Sequence, residues 1–232
     1  MSVKPVVYVG LALNSQLNTL AEIFIRKLIK FVENFLKYKI VLIAPTNIIL
    51  PKFPCKIIYY MDDSSLFDFS RYNRILLSKS LAADDILIAF NDTLGAGRKL
   101  NLGLRFYIYI SLYILSFDTK NRFNFFAPVD KDDYSLWICP YFFVGKIKFI
   151  RKLNFINWLP SRSYLPKPIR YKLIEWIYYS WRGSKNSSNK QKKIKYKTLL
   201  LERTLINTNE INRMNFMFSR RNLLRIVNSL LN

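Results

Sequence analysis

Val6-Val7-Tyr8-Val9-Gly10-Leu11-Ala12-Leu13 is an apolar run behind Pro5, suited to a first buried strand. Asn14, Ser15 and Asn18 mark the loop behind it. Thr19 reads as an N-cap with Glu22, three residues on, as its capping-box partner. A helix then extends to about Tyr38, with Ile23, Leu28, Phe31, Phe35 and Leu36 available for an apolar stripe. Ile40 to Ala44 is a second short run, closed by Pro45. Strand, long helix, strand is a βαβ unit, and such units come with parallel sheets.

The pattern continues along the chain. Cys55 to Tyr60 predicts a third strand, Phe69 to Leu81 a helix, and Ile86 to Phe90 a central parallel strand. Lys99 to Phe117 supplies the next helix; its apolar stretch Leu104 to Phe117 falls short of the ~20 residues needed to span a bilayer, so it reads as a core helix. Asn124 to Ala127 and Trp137 to Val144 predict shorter strands on either side of an acidic turn, Asp130-Lys131-Asp132-Asp133. Beyond Val144 come a basic amphipathic stretch, three prolines (Pro160, Pro166, Pro168), a helix over Ile169 to Trp181, and one or two further helices between Lys197 and Leu231. Residues 183–193 are a low-complexity basic segment, expected as a mobile loop. The expected fold is α/β: a mostly parallel Rossmann-like sheet with flanking helices over 1–158, and a basic helical extension over 159–232.

Charge and composition narrow the partners. The chain has 232 residues, with 37 Lys and Arg against 15 Asp and Glu, a net +22. The excess is graded: +5 over residues 1–100, +6 over 101–169 and +11 over 170–232. Such a balance fits DNA, RNA, an anionic bilayer or a diphosphate-bearing substrate. Codon bias also contributes, since Phe, Tyr, Ile, Lys and Asn share AT-rich codons. Histidine is absent, which removes a Ser-His-Asp triad, a two-histidine metal site and any imidazole base. Cys55 and Cys139 make neither a disulfide framework nor a metal site. The start of the chain shows no long apolar segment of the signal-peptide kind.

The chemistry concentrates at the end of the fourth predicted strand. Asn91-Asp92-Thr93 closes it, followed by Gly95, Gly97, Arg98 and Lys99. Ligands of open α/β sheets bind beyond the carboxyl ends of the strands. The glycines permit a tight turn that presents N–H groups, and the cations suit a diphosphate. Asp92 is placed to act as a base, orient a sugar hydroxyl or bind a divalent metal; the same residue types are also ordinary turn and cap residues. Asp62-Asp63, Asp130, Asp132 and the aromatics Tyr59, Tyr60, Trp137, Tyr141 and Trp158 are further candidates.

Asn91-Asp92-Thr93 behind an apolar strand resembles the Asn-Asp-Ser/Thr signature of bacterial polysaccharide-biosynthesis glycosyltransferases of the rhamnan-synthesis type. Ser135 to Val144 resembles their later Trp-containing, Ser-Tyr-Phe segment: Tyr141 and Phe142 match, and Pro140 stands where the serine would be. The histidine often found before that segment is missing. The resemblance spans roughly residues 84–158. It implies a glycosyltransferase that moves a sugar from a nucleotide-diphosphate donor to a cell-surface polysaccharide or lipid-linked acceptor, at the cytoplasmic face of the cell membrane. Within it Asp92 and Asn91 are the expected catalytic residues. Thr93, Gly95, Gly97, Arg98, Lys99, Asp130, Asp132, Trp137 and Tyr141 are expected to bind substrate, with Mg²⁺ or Mn²⁺ as a candidate cofactor. Trp181, Arg182, Lys185, Lys190, Lys192, Lys193, Lys195 and Lys197 are expected to meet an anionic membrane. A nucleic-acid-binding protein and a non-enzymatic partner subunit are the competing expectations.

Overall fold

A computed structural model describes residues 5–63, 65, 67–78, 81–94, 100–118, 124–131, 136–138, 141–152, 167–181 and 184–205. The fold is α/β, with a central, mostly parallel sheet flanked by helices. Strand β1 (Val7–Ala12) leads through helix α1 (Thr19–Lys30) to β2 (Ile40–Pro45) and then to β3 (Lys56–Tyr60). Helix α2 (Asp68–Leu76) carries the chain back to β4 (Ile86–Asn91) on the other side of β1. Helix α3 (Leu102–Phe117) precedes three short strands, β5 (Phe125–Phe126), β6 (Val129–Lys131) and β7 (Leu136–Ile138). Strand β8 (Phe142–Lys146) then runs directly into helix α4 (Ile147–Lys152). The main sheet has the order β3-β2-β1-β4-β8-β5; β1 to β4 are parallel, and β8 is antiparallel to both β4 and β5.

Both faces of the sheet are covered, which explains why β1, β2 and β4 read as continuous apolar runs. On one face Val7, Val9, Leu11, Leu42, Ile88 and Phe90 pack against Phe24, Ile25, Leu28 of α1 and Ile108, Leu112 of α3. On the other, Tyr8, Val41, Ile43, Leu87 and Ala89 meet Tyr72, Ile75 of α2 and Ile147, Ile150 of α4. The change of face between the β1-to-β2 and β3-to-β4 crossovers is what right-handed connections require when the direction along the sheet reverses. Gly10 is needed for close approach: a Cβ there would sit 3.0 Å from two side-chain carbons of Ile75.

Several local expectations shift in the structure. The cap of α1 is Asn18, whose side chain accepts from the Ala21 amide at 2.9 Å, while Glu22 pairs with Arg26 at 2.8 Å. The buried stripe of α1 is Ala21, Phe24, Ile25, Leu28 and Ile29; Ile23 and Phe35 are exposed. Asn101 caps α3 through the Leu104 amide at 2.9 Å, so that helix begins at Leu102 rather than at the expected Lys99. The predicted strand from Trp137 to Val144 is two strands in different sheets, and Pro140, which has no N–H to donate, falls between them. Asp130 and Lys131 lie in β6 rather than in an acidic turn, paired antiparallel with β7.

The described part of 159–232 forms helix α5 (Lys167–Glu175), continued by π-helical turns over Trp176–Ser180, a 3₁₀ turn (Ser184–Asn186), and helix α6 (Asn189–Leu205). Ile169, Leu173 and Ile177 pack against Leu199 and Leu200, and Leu201 joins the core on the α2 side of the sheet. The basic segment expected as a loop is therefore helical from Asn189 onward. Its start is a capping box: the Ser188 amide donates to Gln191 Oε1 at 2.8 Å, and the Gln191 amide to Ser188 Oγ at 3.3 Å. No described helix is long and apolar enough to cross a membrane.

Asp85 fastens β4 to its neighbours. Its carboxylate accepts from the Val6 amide and from the Ala82 amide, both at 2.8 Å, in a setting where Asp85 is buried. Replacement by Ala removes the acceptor of both amides, that of the partly buried Val6 and that of the exposed Ala82. Asp85→Ala is expected to cost about 1–3 kcal/mol in urea unfolding, and Asp85→Asn distinctly less, because the amide oxygen still accepts one bond.

Candidate active site

At the carboxyl edge of the sheet β1 leads toward β2 on one side while β4 lies on the other, which opens a crevice at this reversal of strand order. A cavity of about 690 Å³ lies there, within the range that holds small-molecule ligands. Its floor is Asn14 behind β1 and Asn91, Asp92 and Thr93 at the end of β4. Phe67, Asp68 and Arg71 from the start of α2 form one wall. Lys190, Gln191, Ile194 and Lys195 of α6 form another.

The floor is held by hydrogen bonds across the β1–β4 boundary. The Asn14 amide donates to Asp92 Oδ1 at 2.7 Å and Oδ2 at 2.9 Å. Asn91 is buried and spends its side chain inside the protein. Its Nδ2 donates to Asp68 Oδ2 at 2.7 Å, and its Oδ1 accepts from the Thr93 amide at 3.0 Å and from the Thr93 hydroxyl. The Asn91 amide donates to the Tyr141 carbonyl at 3.1 Å, which ties the floor to the turn before β8. Asn91, Thr93 and the Tyr141 backbone thus position the carboxylates. Asp92 accepts from the Asn14 amide on both oxygens and Asp68 from Asn91 on one, and each keeps further accepting capacity, since a carboxylate oxygen takes more than one bond.

Arg71 organises the α2 wall. Nearly fully buried, it donates from Nε to Asp62 Oδ1 at 2.6 Å and from Nη2 to Asp62 Oδ2 at 3.3 Å, and reaches Asn14 Oδ1 at 3.0 Å. These bonds hold the Asp62 carboxyl below the usual carboxylate range. The opposite holds for the other two acids. Burial pushes Asp92 up, with the Asn14 amide and Arg71 opposing. Burial also pushes Asp68 up, with the bond from Asn91 opposing and the nearby Asp92 adding to the rise. Beside the cleft, Arg71 thus holds one carboxylate, Asp62, low, while burial makes the protons of Asp68 and Asp92 harder to remove.

Helix α6 brings cations to these carboxylates. Lys190 and Lys195, expected from the sequence to meet an anionic membrane, line the cleft. The Lys195 ammonium sits 5.8 Å from the centre of the Phe67 ring, and Trp181 meets the same ring edge-on at 6.5 Å. Lys192 lies over Tyr178 at 4.8 Å, while Lys185, Lys193 and Lys197 are exposed. Asp130 and Trp137 are Cα partners in the β6–β7 ribbon, and β7 lies against α6. Gly95, Gly97, Arg98, Lys99, Asp132, Trp158 and Arg182 lie outside the described residues.

Among the described residues no group of three or more metal-ligating side chains gathers. The carboxylates of the cleft are also engaged by Asn14, Arg71 and Asn91. No protein-family model matches this chain, and no curated protein matches it either.

Asn14, Phe67, Asp68, Arg71 and Gln191 are cleft residues that sequence reasoning did not single out. Asn14 carried the weakest yet usable signal, a polar residue just past the first buried strand. Asp68 and Arg71 sit one turn apart at the start of α2, a spacing that puts both on one helix face.

Glu202 of α6 is buried, and burial raises it to about 7, opposed by Lys195 and Arg203. A carboxyl whose folded value exceeds its unfolded value near 4.5 stabilises the fold fully below that unfolded value, and the contribution is lost as pH rises through about 7. Thermal midpoints of the wild type are expected to fall between pH 5 and 8 (roughly the span of this titration). Glu202→Gln should flatten that slope and melt above the wild type at the alkaline end.

Proposed function

We propose that the protein is a glycosyltransferase that binds a nucleotide-diphosphate sugar in the carboxyl-edge cleft and transfers the sugar to a polysaccharide or lipid-linked hydroxyl. The observation that carries this reading is the coincidence, at one reversal of strand order, of a cleft-lining carboxylate, Asp92, with cations on the opposite wall, Lys190 and Lys195. A donor diphosphate needs positive charge where its leaving group develops negative charge, and an attacking hydroxyl needs a base. Both are present in a cavity of suitable size.

In this reading the acceptor oxygen attacks the anomeric carbon of the donor sugar. The bond from that carbon to the diphosphate oxygen breaks, and its electron pair leaves with the diphosphate, which Lys190 and Lys195 stabilise. The acceptor proton passes to Asp92, whose raised affinity for protons favours that transfer. Asn14 fixes the carboxylate, and Asn91 with Thr93 holds the strand end in place.

Binding of nucleoside diphosphates or their sugars is expected to raise the thermal midpoint of the wild type, since a ligand of the native state stabilises it by linkage. Asp92→Asn should leave that shift largely intact while lowering sugar transfer by about 100-fold or more. The transfer rate of the wild type should fall on the acid side at a pH above that of an ordinary aspartate, and this limb should vanish in the variant. If no nucleotide shifts the protein while nucleic acid binds with steep salt dependence, the transferase reading fails and the nucleic-acid reading replaces it.

The acceptor chemistry suits a location on the inner face of the cell membrane, and α5 with the π-helical turns that continue it offers the surface for it. Ile169, Leu173 and Ile177 face the interior, whereas Tyr171, Ile174, Trp176, Tyr178 and Tyr179 are exposed beside Lys167, Arg170 and Lys172. Exposed aromatics interleaved with cations are the composition of an interfacial helix. The protein is expected to co-sediment with anionic but not neutral vesicles at low salt. Paired replacement of Tyr171 and Tyr179 by Ser should reduce the bound fraction several-fold without lowering nucleotide binding.

A further inference from the structure

Phe67 has a backbone conformation that its side chain does not favour. Among the described residues two non-glycines have positive φ, Lys37 and Phe67. Lys37, at φ 59° and ψ 34°, ends a helix in the ordinary left-handed region. Phe67, at φ 51° and ψ −129°, lies outside that region, where a Cβ is crowded and glycine is the usual occupant. A bulky residue held there is strained, and such strain persists where the surrounding structure fixes it for a purpose.

Core packing does not supply the purpose. The three apolar clusters and the half-buried side chains packed against them do not include Phe67. The ring is half-buried and lines the cleft. Among the described residues it meets Trp181, edge-on at 6.5 Å and 86°, and the Lys195 ammonium at 5.8 Å from the ring centre. Trp181 fixes the ring's orientation, and Lys195 belongs both to the ring and, with Lys190, to the cationic wall.

We infer that Phe67 is the platform on which the base of a nucleotide stacks, with Lys190 and Lys195 beside it taking the phosphates. The inference rests on the nucleotide-sugar reading above and names the part of the cleft that recognises the base. A flat apolar ring adjoining two ammonium groups matches a ligand that joins a flat heterocycle to a diphosphate. The hydroxyls of a sugar are better met by the carboxylate and amide groups on the floor, Asp92, Asn14 and Asp68.

The test measures affinities of the full chain for ADP, GDP, CDP and UDP, for inorganic pyrophosphate and for a hexose 1-phosphate. It uses the wild type, Phe67→Gly, Phe67→Leu and Phe67→Tyr. At least one nucleoside diphosphate should bind the wild type about tenfold or more tightly than pyrophosphate, the usual gain from one base on one aromatic ring. Phe67→Gly and Phe67→Leu should lose that gain and keep the pyrophosphate affinity; Phe67→Tyr should retain both. Because glycine adopts this φ freely, Phe67→Gly should melt no lower than Phe67→Leu. Equal weakening of pyrophosphate, or a loss confined to the hexose 1-phosphate, overturns the platform. So does pyrophosphate binding to which no base adds affinity, an outcome that leaves the phosphate-binding cleft standing. Absence of binding by pyrophosphate and nucleotides alike overturns the nucleotide reading and this inference together.

Discussion

The pairing of β1 with β4 is the constraint from which the rest of the molecule follows. The two strands lie in parallel register along their whole length, from Val7 opposite Ile86 to Ala12 opposite Asn91. Because β2 and β3 occupy the other side of β1, the loops leaving β1 and β4 diverge, and a crevice opens above the seam. Asp85 secures one end of this seam through the Val6 amide, and Asp92 secures the other through the Asn14 amide. The same pair of strands therefore carries the centre of the core and the floor of the cleft.

Electrostatics at the cleft centre on Arg71. Its side chain is buried while its partners Asp62 and Asn14 are partly buried and exposed, so its charge is screened less than a surface charge. Asp92 lies close enough to raise the proton affinity of Asp68. Into this acidic crevice α6 projects lysines from a helix that is anchored elsewhere, by Leu199 and Leu200 against α5 and by Leu201 against the sheet's α2-side core. An anionic ligand would find its counter-charge on one wall and its carboxylate on the floor. A purely acidic crevice would repel it.

Much of the α/β core was legible from residues alone. The apolar runs Val6–Leu13, Ile40–Ala44 and Ile86–Phe90 match β1, β2 and β4 closely because strands buried on both faces must be apolar at every position. The acidic strand end Asn91-Asp92-Thr93 was legible for a related reason: polar residues directly after such a run mark where the chain leaves the core. Helix ends were less legible. Thr19 and Asn18 are both competent caps, and only the backbone geometry at Asn18 selects it. Asn124–Ala127 contains β5, but Trp137–Val144 was misread as one strand because short strands carry too few residues for their alternation to show which sheet they join.

The sequence by itself determined that this chain builds a covered parallel sheet, where its buried strands run, and that it is strongly cationic toward its C-terminal end. Those properties reside in local periodicity and composition, which act before any long-range contact forms. Only the tertiary structure decided that β8 inserts antiparallel beside β4, that Arg71 and Asp62 brace Asn14, and that Phe67 is held in a glycine-like conformation at the rim of a cleft. It also decided the destination of the basic helix, whose lysines compose as well for a membrane as for a ligand. The reason is geometric: the capping box at Ser188 and Gln191 starts that helix locally, but the apolar residues Leu199, Leu200 and Leu201, about two turns or more further on, choose what it packs against. That packing sets Lys190 and Lys195 over the strand ends.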